Sequence, residues 1–306
     1  MRNTAAQCRR ALKLQARQTF FLYRRPCLLC AFLLLCVSLA AQFFTAYSGG
    51  ALFYAFLDVR QLPLDTGLWL AGPELMSSLM TTMGLQDLGG WGGVLLTLRY
   101  EPMGAVMVLP LAWQQLLRMA AVNAAALVVT APLEYGVLAQ LRWVLEGRPQ
   151  RPGSLFGWYA DLRLTRKALG VQAALALWRL LTTLLCAAPG FLCLAAGTAL
   201  PGGESLMLLS TVLSLLGMAA AYGCYTVLLP ARYLLAASPE RTVRAALVQG
   251  FRLAQGRRME FFLLNLSFLP WYLAAQFLYS VPLLYAYPYS VLSIYLFLRS
   301  LQTQET

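Results

Sequence analysis

Histidine is missing from all 306 residues, and acidic side chains are few, 12 against 24 lysines and arginines. Without histidine the chain cannot form a Ser-His-Asp or Cys-His nucleophile, a histidine-ligated metal site or a haem with an axial histidine. The phosphate-cradling G-x-x-x-x-G-K-[ST] pattern and the G-x-G-x-x-G dinucleotide pattern are also missing. Cysteine is modest at seven residues, and only Cys27 and Cys30 form a C-x-x-C. With no second pair a zinc ribbon is incomplete, which leaves a redox pair or small apolar residues inside a helix. These gaps lead to the expectation of a non-enzymatic chain with no catalytic residue, metal or cofactor.

Charge is scarce overall. Charged residues make up 12% of the chain and hydrophobic ones 59%, whereas a soluble domain carries about 25% charged residues. From Phe261 to Leu298 there is no charged side chain at all, a run of 38 residues. A helix crosses a bilayer with about 20 apolar residues, so this run is nearly two spans long. Apolar stretches recur along the chain and give an expected fold class: all-α, one polytopic transmembrane helical bundle over 1–306 with about six spans. The spans are read at Cys27–Tyr47, Met119–Leu141, Ala168–Leu194, Leu206–Leu229, Phe261–Tyr279 and Leu283–Leu298. Pro189-Gly190 is expected to bend or end the third. A count of five spans is the alternative, and so is a cleaved signal peptide at the first, where Ser38-Leu39-Ala40 loosely resembles a cleavage site.

The excess of basic residues lies beside the apolar runs, which points to anionic lipid headgroups at the cytoplasmic face rather than to nucleic acid. Residues 1–26 hold seven basic residues and no acidic one, and 48–118 hold three basic and five acidic. Residues 142–167 and 230–260 each hold six basic and two acidic, while 195–205 hold only Glu204. The positive-inside rule then predicts a cytoplasmic N-terminus and a long extracytoplasmic segment at 48–118. Within that segment, Gly49-Gly50 and Gly89-Gly90-Trp91-Gly92-Gly93 mark flexible turns, and Met103 to Leu109 either lies in the interface or extends the next helix.

Two cytoplasmic segments read as amphipathic helices. In 1–26, Ala5, Cys8, Leu12 and Ala16 recur at helical spacing, with Arg9, Arg10, Lys13 and Arg17 on other faces. In 230–260 the pattern predicts a helix over 238–256, capped by Ser238, with Pro239 at its first position and Gly256 at its end. Val243, Leu247, Phe251 and Ala254 form its stripe, and Arg241, Arg244 and Arg252 lie off it as candidate lipid-surface contacts. The alternative is that the stripe packs on the bundle and the arginines are solvated.

Glu134 and Arg179 are the ionisable residues deep in predicted spans. Both lie on the order of 10–16 Å from the inner boundary at 1.5 Å per residue, so the pattern predicts an intramembrane ion pair. A proton or ion relay is the sharper alternative. Asn265 and Ser267 fit a glycosylation sequon but lie at membrane depth, where interhelical hydrogen bonding is expected instead. Gly217 with Ala221 and Ala219 with Gly223 give small-xxx-small spacing for helix packing.

Several elements occur in a fixed order: Pro132-Leu133-Glu134-Tyr135-Gly136; Leu177-Trp178-Arg179-Leu180-Leu181 followed by Pro189-Gly190; Leu234-Leu235-Ala236 through Pro239, Ala245-Ala246-Leu247 and Gly256; and Leu264, Leu266-Ser267-Phe268, Trp271 and Pro288-Tyr289. In this order they resemble an uncharacterised bacterial family of integral membrane proteins, domain of unknown function 975, over about 130–300 plus the first 40 residues. The resemblance implies a multispan protein of the bacterial cytoplasmic membrane and transfers no activity. The expected role is a scaffold, assembly or envelope-associated factor whose protein partner is unknown. The alternative is a small permease or channel component.

Overall fold

The computed structural model describes residues 2–47, 95–100, 105–110, 113–199, 204–278 and 280–305. Helices dominate. They are α1 (Arg2–Leu22), α2 (Arg24–Tyr47), α3 (Trp113–Leu145), α4 (Leu162–Ala199), α5 (Glu204–Thr226), α6 (Pro230–Ala237), α7 (Val243–Gln255), α8 (Arg258–Leu266), α9 (Leu269–Phe277) and α10 (Leu283–Glu305). A 3-10 turn at Pro152–Phe156 and a helical turn at Gly157–Ala160 link α3 to α4.

The chain divides into two compact units, residues 37–130 and residues 1–36 with 131–306. The first unit holds an antiparallel hairpin of β1 (Leu95–Tyr100) and β2 (Ala105–Pro110), with Leu95 opposite Pro110 and Tyr100 opposite Ala105. Residues 105–110 therefore do not extend the following helix, which starts at Trp113. The glycine pairs at 49–50 and 89–93 and most of 48–118 lie outside the described residues.

Helix ends follow local chemistry. Past α3, Gly147 takes φ +76°, a left-handed position that costs a residue bearing Cβ about 1–2 kcal/mol. Its amide donates to Val144 O at 3.0 Å, and that of Arg148 donates to Trp143 O at 2.9 Å, which is the paired bonding of a Schellman end. Asp161 starts α4 by accepting the Arg163 amide at 2.8 Å. Pro230 opens α6 at the first helical position, where its missing N–H costs nothing.

Among the described residues, three helical stretches are long and apolar enough to cross a membrane: Arg24–Ala41, Ala120–Leu145 and Leu162–Gly190. Outward leucines on α4, including Leu177, Leu184, Leu185 and Leu192, are more than half exposed. A face of this kind is costly in water and natural against lipid tails.

Several expected boundaries move. Pro189 lies inside α4, which continues to Ala199 rather than ending there. The leg read as one span at Phe261–Tyr279 is two nine-residue helices, α8 and α9, each only about 13 Å long. Pro270 in the first turn of α9 has no amide to give the preceding helix, so the break falls at Ser267-Phe268. The 238–256 helix is shorter than its pattern suggests. Thr242, not Ser238, caps it by accepting the Ala245 amide, and Gly256 follows its last residue.

The core of the second unit gathers Tyr135, Leu138 and Leu141 of α3, Leu175 of α4, Tyr233 and Leu235 of α6, Leu264 of α8, Phe268, and Leu292 of α10. The Tyr295 hydroxyl donates to Leu138 O at 3.1 Å, pinning α10 to α3. In α1, Ala16 and Phe20 are buried while Arg10 and Arg17 are exposed, and Lys13 donates to Ser267 Oγ. Lys13 also stands 4.6 Å from the centroid of the Phe268 ring. Burial, then neighbouring Arg9, lowers the Lys13 pKa from the ordinary lysine value.

Candidate functional site

Glu134 follows Pro132-Leu133 on α3, with its side chain largely buried in this interior. Two fixtures hold α3 there. Gly136 lets the Leu155 carbonyl approach so closely that a Cβ would sit 2.0 Å from its oxygen. Trp158 packs against the Tyr135 ring at 5.1 Å and accepts the Thr165 hydroxyl at its carbonyl, 2.6 Å away. Further along, Gln140 donates to Gln150 O at 2.8 Å and accepts from Ser154 Oγ at 3.1 Å. The α3–α4 connection is thus tied to α3 through backbone atoms.

The partner of Glu134 is Arg232 on α6, not Arg179. Arg232 Nη1 lies 2.6 Å from Glu134 Oε1, with side chains 18% and 17% exposed. The other carboxylate oxygen accepts Gln172 Nε2 from α4. Arg232 Nη2 donates to the Tyr233 hydroxyl at 3.0 Å, and its guanidinium stands 4.9 Å from that ring's centroid. One carboxylate therefore ties three helices. Burial pushes the Tyr233 phenol up to about 12 against the pull of Arg232, so it keeps its proton at neutral pH.

Arg179 is exposed on α4, with its guanidinium 5.9 Å from the Tyr225 ring centroid. The reason it misses Glu134 is register. Counted from the observed helix ends, Glu134 is eleven residues inside Leu145 and Gln172 ten inside Leu162, both about 15–17 Å deep. Arg179 is two turns further, about 10 Å beyond Gln172. By sequence position Arg232 falls among the cytoplasmic loop charges of 230–260. The signal that could have found it is its setting, Leu228-Leu229-Pro230-Ala231 before it and Tyr233-Leu234-Leu235 after it.

Three buried polar atoms have no hydrogen-bond partner among the described residues: Tyr135 Oη, Tyr287 Oη and Arg232 Nε. Tyr135 and Tyr287 both lie within electrostatic reach of Glu134 and Arg232.

The remaining candidates are scattered. Arg244 and Arg252 are exposed on α7, and Arg241, in the turn before it, donates to Gln249 Oε1. Of the predicted stripe, Ala254 is buried, Val243 and Leu247 pack against the core, and Phe251 is exposed. The side chains that α7 buries are Ala246, Leu253 and Ala254, beside Gly250. Cys27 and Cys30 are free thiols buried in the core. Asn265 bonds back to Phe261 O within its own helix, whereas Ser267 receives Lys13 from α1. Among the described residues, no three His, Cys, Asp or Glu side chains gather where a metal could sit.

No curated protein and no solved structure matches the chain. Residues 176–305 match the family described as Protein of unknown function (DUF975). That stretch includes Arg179, Arg232 and the Leu264-to-Tyr289 elements, while Pro132 to Gly136 and the first 40 residues lie outside it, so the match is narrower than the resemblance. Over 176–305 the chain is similar to the family that its ordered sequence elements resemble, domain of unknown function 975.

Proposed function

We propose that this is a non-enzymatic multi-pass protein of the bacterial cytoplasmic membrane, with about six spans and a cytoplasmic N-terminus. It acts as a scaffold, assembly or envelope-associated factor. The observation that carries this reading is the engagement of Glu134. Both of its oxygens are taken, by Arg232 and by Gln172, so the one deep carboxylate of α3 works as a tie between helices.

A specific observation favours a second reading, a small permease: the unpartnered Tyr135, Tyr287 and Arg232 atoms beside the pair would suit a polar solute. Proteoliposomes loaded with a pH-sensitive dye, together with cross-linking in native membranes, separate the two. The scaffold reading expects no proton or ion movement above empty vesicles and a stoichiometric cross-linked partner. A flux that Glu134→Gln abolishes would overturn it in favour of the permease.

The exposed side of α7 adds a lipid role. Arg244 and Arg252 stand out beside exposed Val248 and Phe251, and a basic residue near an anionic leaflet is worth about 1 kcal/mol. A peptide of residues 238–256 is expected to sediment with phosphatidylglycerol vesicles and not with phosphatidylcholine ones. Equal binding to both would remove the electrostatic component.

A further inference from the structure

The connection between α3 and α4 is firmly held, yet it turns large apolar side chains outward. Leu155 and Trp158 are buried and fasten it to α3. Beside them Phe156, Tyr159 and Leu162 are 51%, 39% and 62% exposed. The Tyr159 hydroxyl bonds to the Leu133 backbone, and its ring stands 6.2 Å from that of Phe156. The Thr165 hydroxyl ties the start of α4 to Trp158 O at 2.6 Å. Arg163 and Arg166 are exposed next to Leu162, and neither enters an ion pair among the described residues. Residues 147–166 hold four arginines and one acidic residue, Asp161. An outward apolar patch on a fixed platform, bordered by basic side chains, is costly in water and calls for a partner with both apolar and anionic character.

We propose that Phe156, Tyr159 and Leu162, with Arg163 and Arg166, form an anchor seated in the anionic headgroup layer of the inner leaflet. Amphipathic rings hold a protein at that level, and basic side chains there draw anionic lipid. Two observations favour lipid over a protein partner. The first is continuity. At 3.6 residues per turn, Leu162, Leu177, Leu180 and Leu184 fall within about 60° on α4, and all four are exposed. The patch therefore begins the face of α4 that suits lipid tails. The second is length. Leu162 to Leu184 covers about 33 Å of helix against a hydrocarbon core of about 30 Å. With that face in the tails, Leu162 falls at the boundary and Phe156 and Tyr159 just outside it. The anchor rests on the reading of the chain as a membrane protein, and it is formed by residues other than those of the exposed side of α7.

Full-length chains carrying p-benzoylphenylalanine in place of Phe156, Leu177 or the exposed Gln150 test this. They are irradiated in native membranes, and in nanodiscs of phosphatidylcholine with a minor share of phosphatidylglycerol, and the adducts are weighed by mass spectrometry. Phe156 and Leu177 are expected to capture lipid, and Gln150 little. Phosphatidylglycerol is expected among the Phe156 adducts at more than about twice its share of the disc. Arg163→Gln with Arg166→Gln is expected to return that share to the disc composition. Lipid at Leu177 but no more at Phe156 than at Gln150 overturns the anchor and leaves the membrane reading standing. No lipid at either Leu177 or Phe156 removes the membrane reading and the anchor with it. A protein adduct at Phe156 in native membranes, in place of lipid, makes the patch a protein interface and overturns the anchor. So does phosphatidylglycerol at its disc share, or an excess that survives loss of both arginines. If the Phe156 chain does not fold, the wild type is labelled with a lipid-dissolved diazirine. Label at Phe156 and Tyr159 above that at Gln150 then supports the anchor, and its absence overturns it.

Discussion

Glu134→Ala is expected to destabilise the protein by about 3–5 kcal/mol, the usual loss when one partner of a buried ion pair is removed. The change leaves Arg232 charged at 18% side-chain exposure, with its Nε already lacking a partner, and it strands the Gln172 amide. Neutral hydrogen bonds between membrane helices are worth only about 0.6 kcal/mol on average, so charge makes the difference here. Removing both charges is expected to be far milder. Glu134→Leu with Arg232→Met leaves no ion uncompensated, and such replacements are often close to neutral. Unfolding of the purified protein in mild detergent gives the double-mutant cycle. Coupling between positions 134 and 232 is expected to reach several kcal/mol. Between 134 and 179 it is expected to stay within about 0.5 kcal/mol, the additivity of sites without shared partners. The opposite ranking would restore the pairing with Arg179.

How that pair escaped the sequence shows what hydropathy can carry. Windows of apolar residues located α2, α3 and α4, because transfer into lipid depends on composition and length. Partner choice depends on register between helices, which composition does not encode. Four residues of overrun at the end of α3 and six at the start of α4 were enough to misalign Glu134 with Arg179 instead of Gln172. Arg232 was obscured for a related reason. Pro230 ends an apolar run and looks like the start of a loop, yet it opens a helix whose other side chains are mostly buried. The charge-free run from Phe261 to Leu298 was long enough for a hairpin of two spans. Its first leg is instead divided at Ser267-Phe268, because Pro270 removes a backbone donor that hydropathy does not count. The α7 stripe was legible for Val243, Leu247 and Ala254, which pack inward, but not for Phe251, which is exposed. Its apolar residues were visible, but Gly250 and Ala246 pack inward as well, since close helix contact selects small residues as readily as large apolar ones.

Gly136→Ala and Gly250→Ala test that close packing, and both are expected to be among the most harmful changes of a single methyl group. In a helix interior, alanine gains about 1 kcal/mol over glycine, so propensity alone predicts stabilisation. Space decides otherwise. At Gly136 the added carbon would lie 2.0 Å from Leu155 O and 2.9 Å from Leu155 C, and at Gly250 it would lie 2.6 Å from Ala231 N and 2.9 Å from its Cα. These are backbone atoms, so no rotamer change relieves the clash and whole elements must separate. Overpacking costs about 1–3 kcal/mol, towards the upper end where backbone has to move, which leaves a net loss of up to about 2 kcal/mol at each site after the propensity gain. At Gly136 the shift pulls the Pro152–Phe156 turn from α3 and loosens Trp158 from Tyr135. At Gly250 it displaces α6 beside Arg232, so the Glu134 tie weakens as well. Gly153→Ala is the control, with nothing within 4 Å of the new carbon, and its thermal midpoint in detergent is expected to stay unchanged. Trimming Leu155 to alanine is expected to leave Gly136→Ala unrescued, because the obstructing atom is a carbonyl oxygen that every residue carries. Rescue by that trimming would mean the contact is made by side chains and that α3 does not approach the turn this closely.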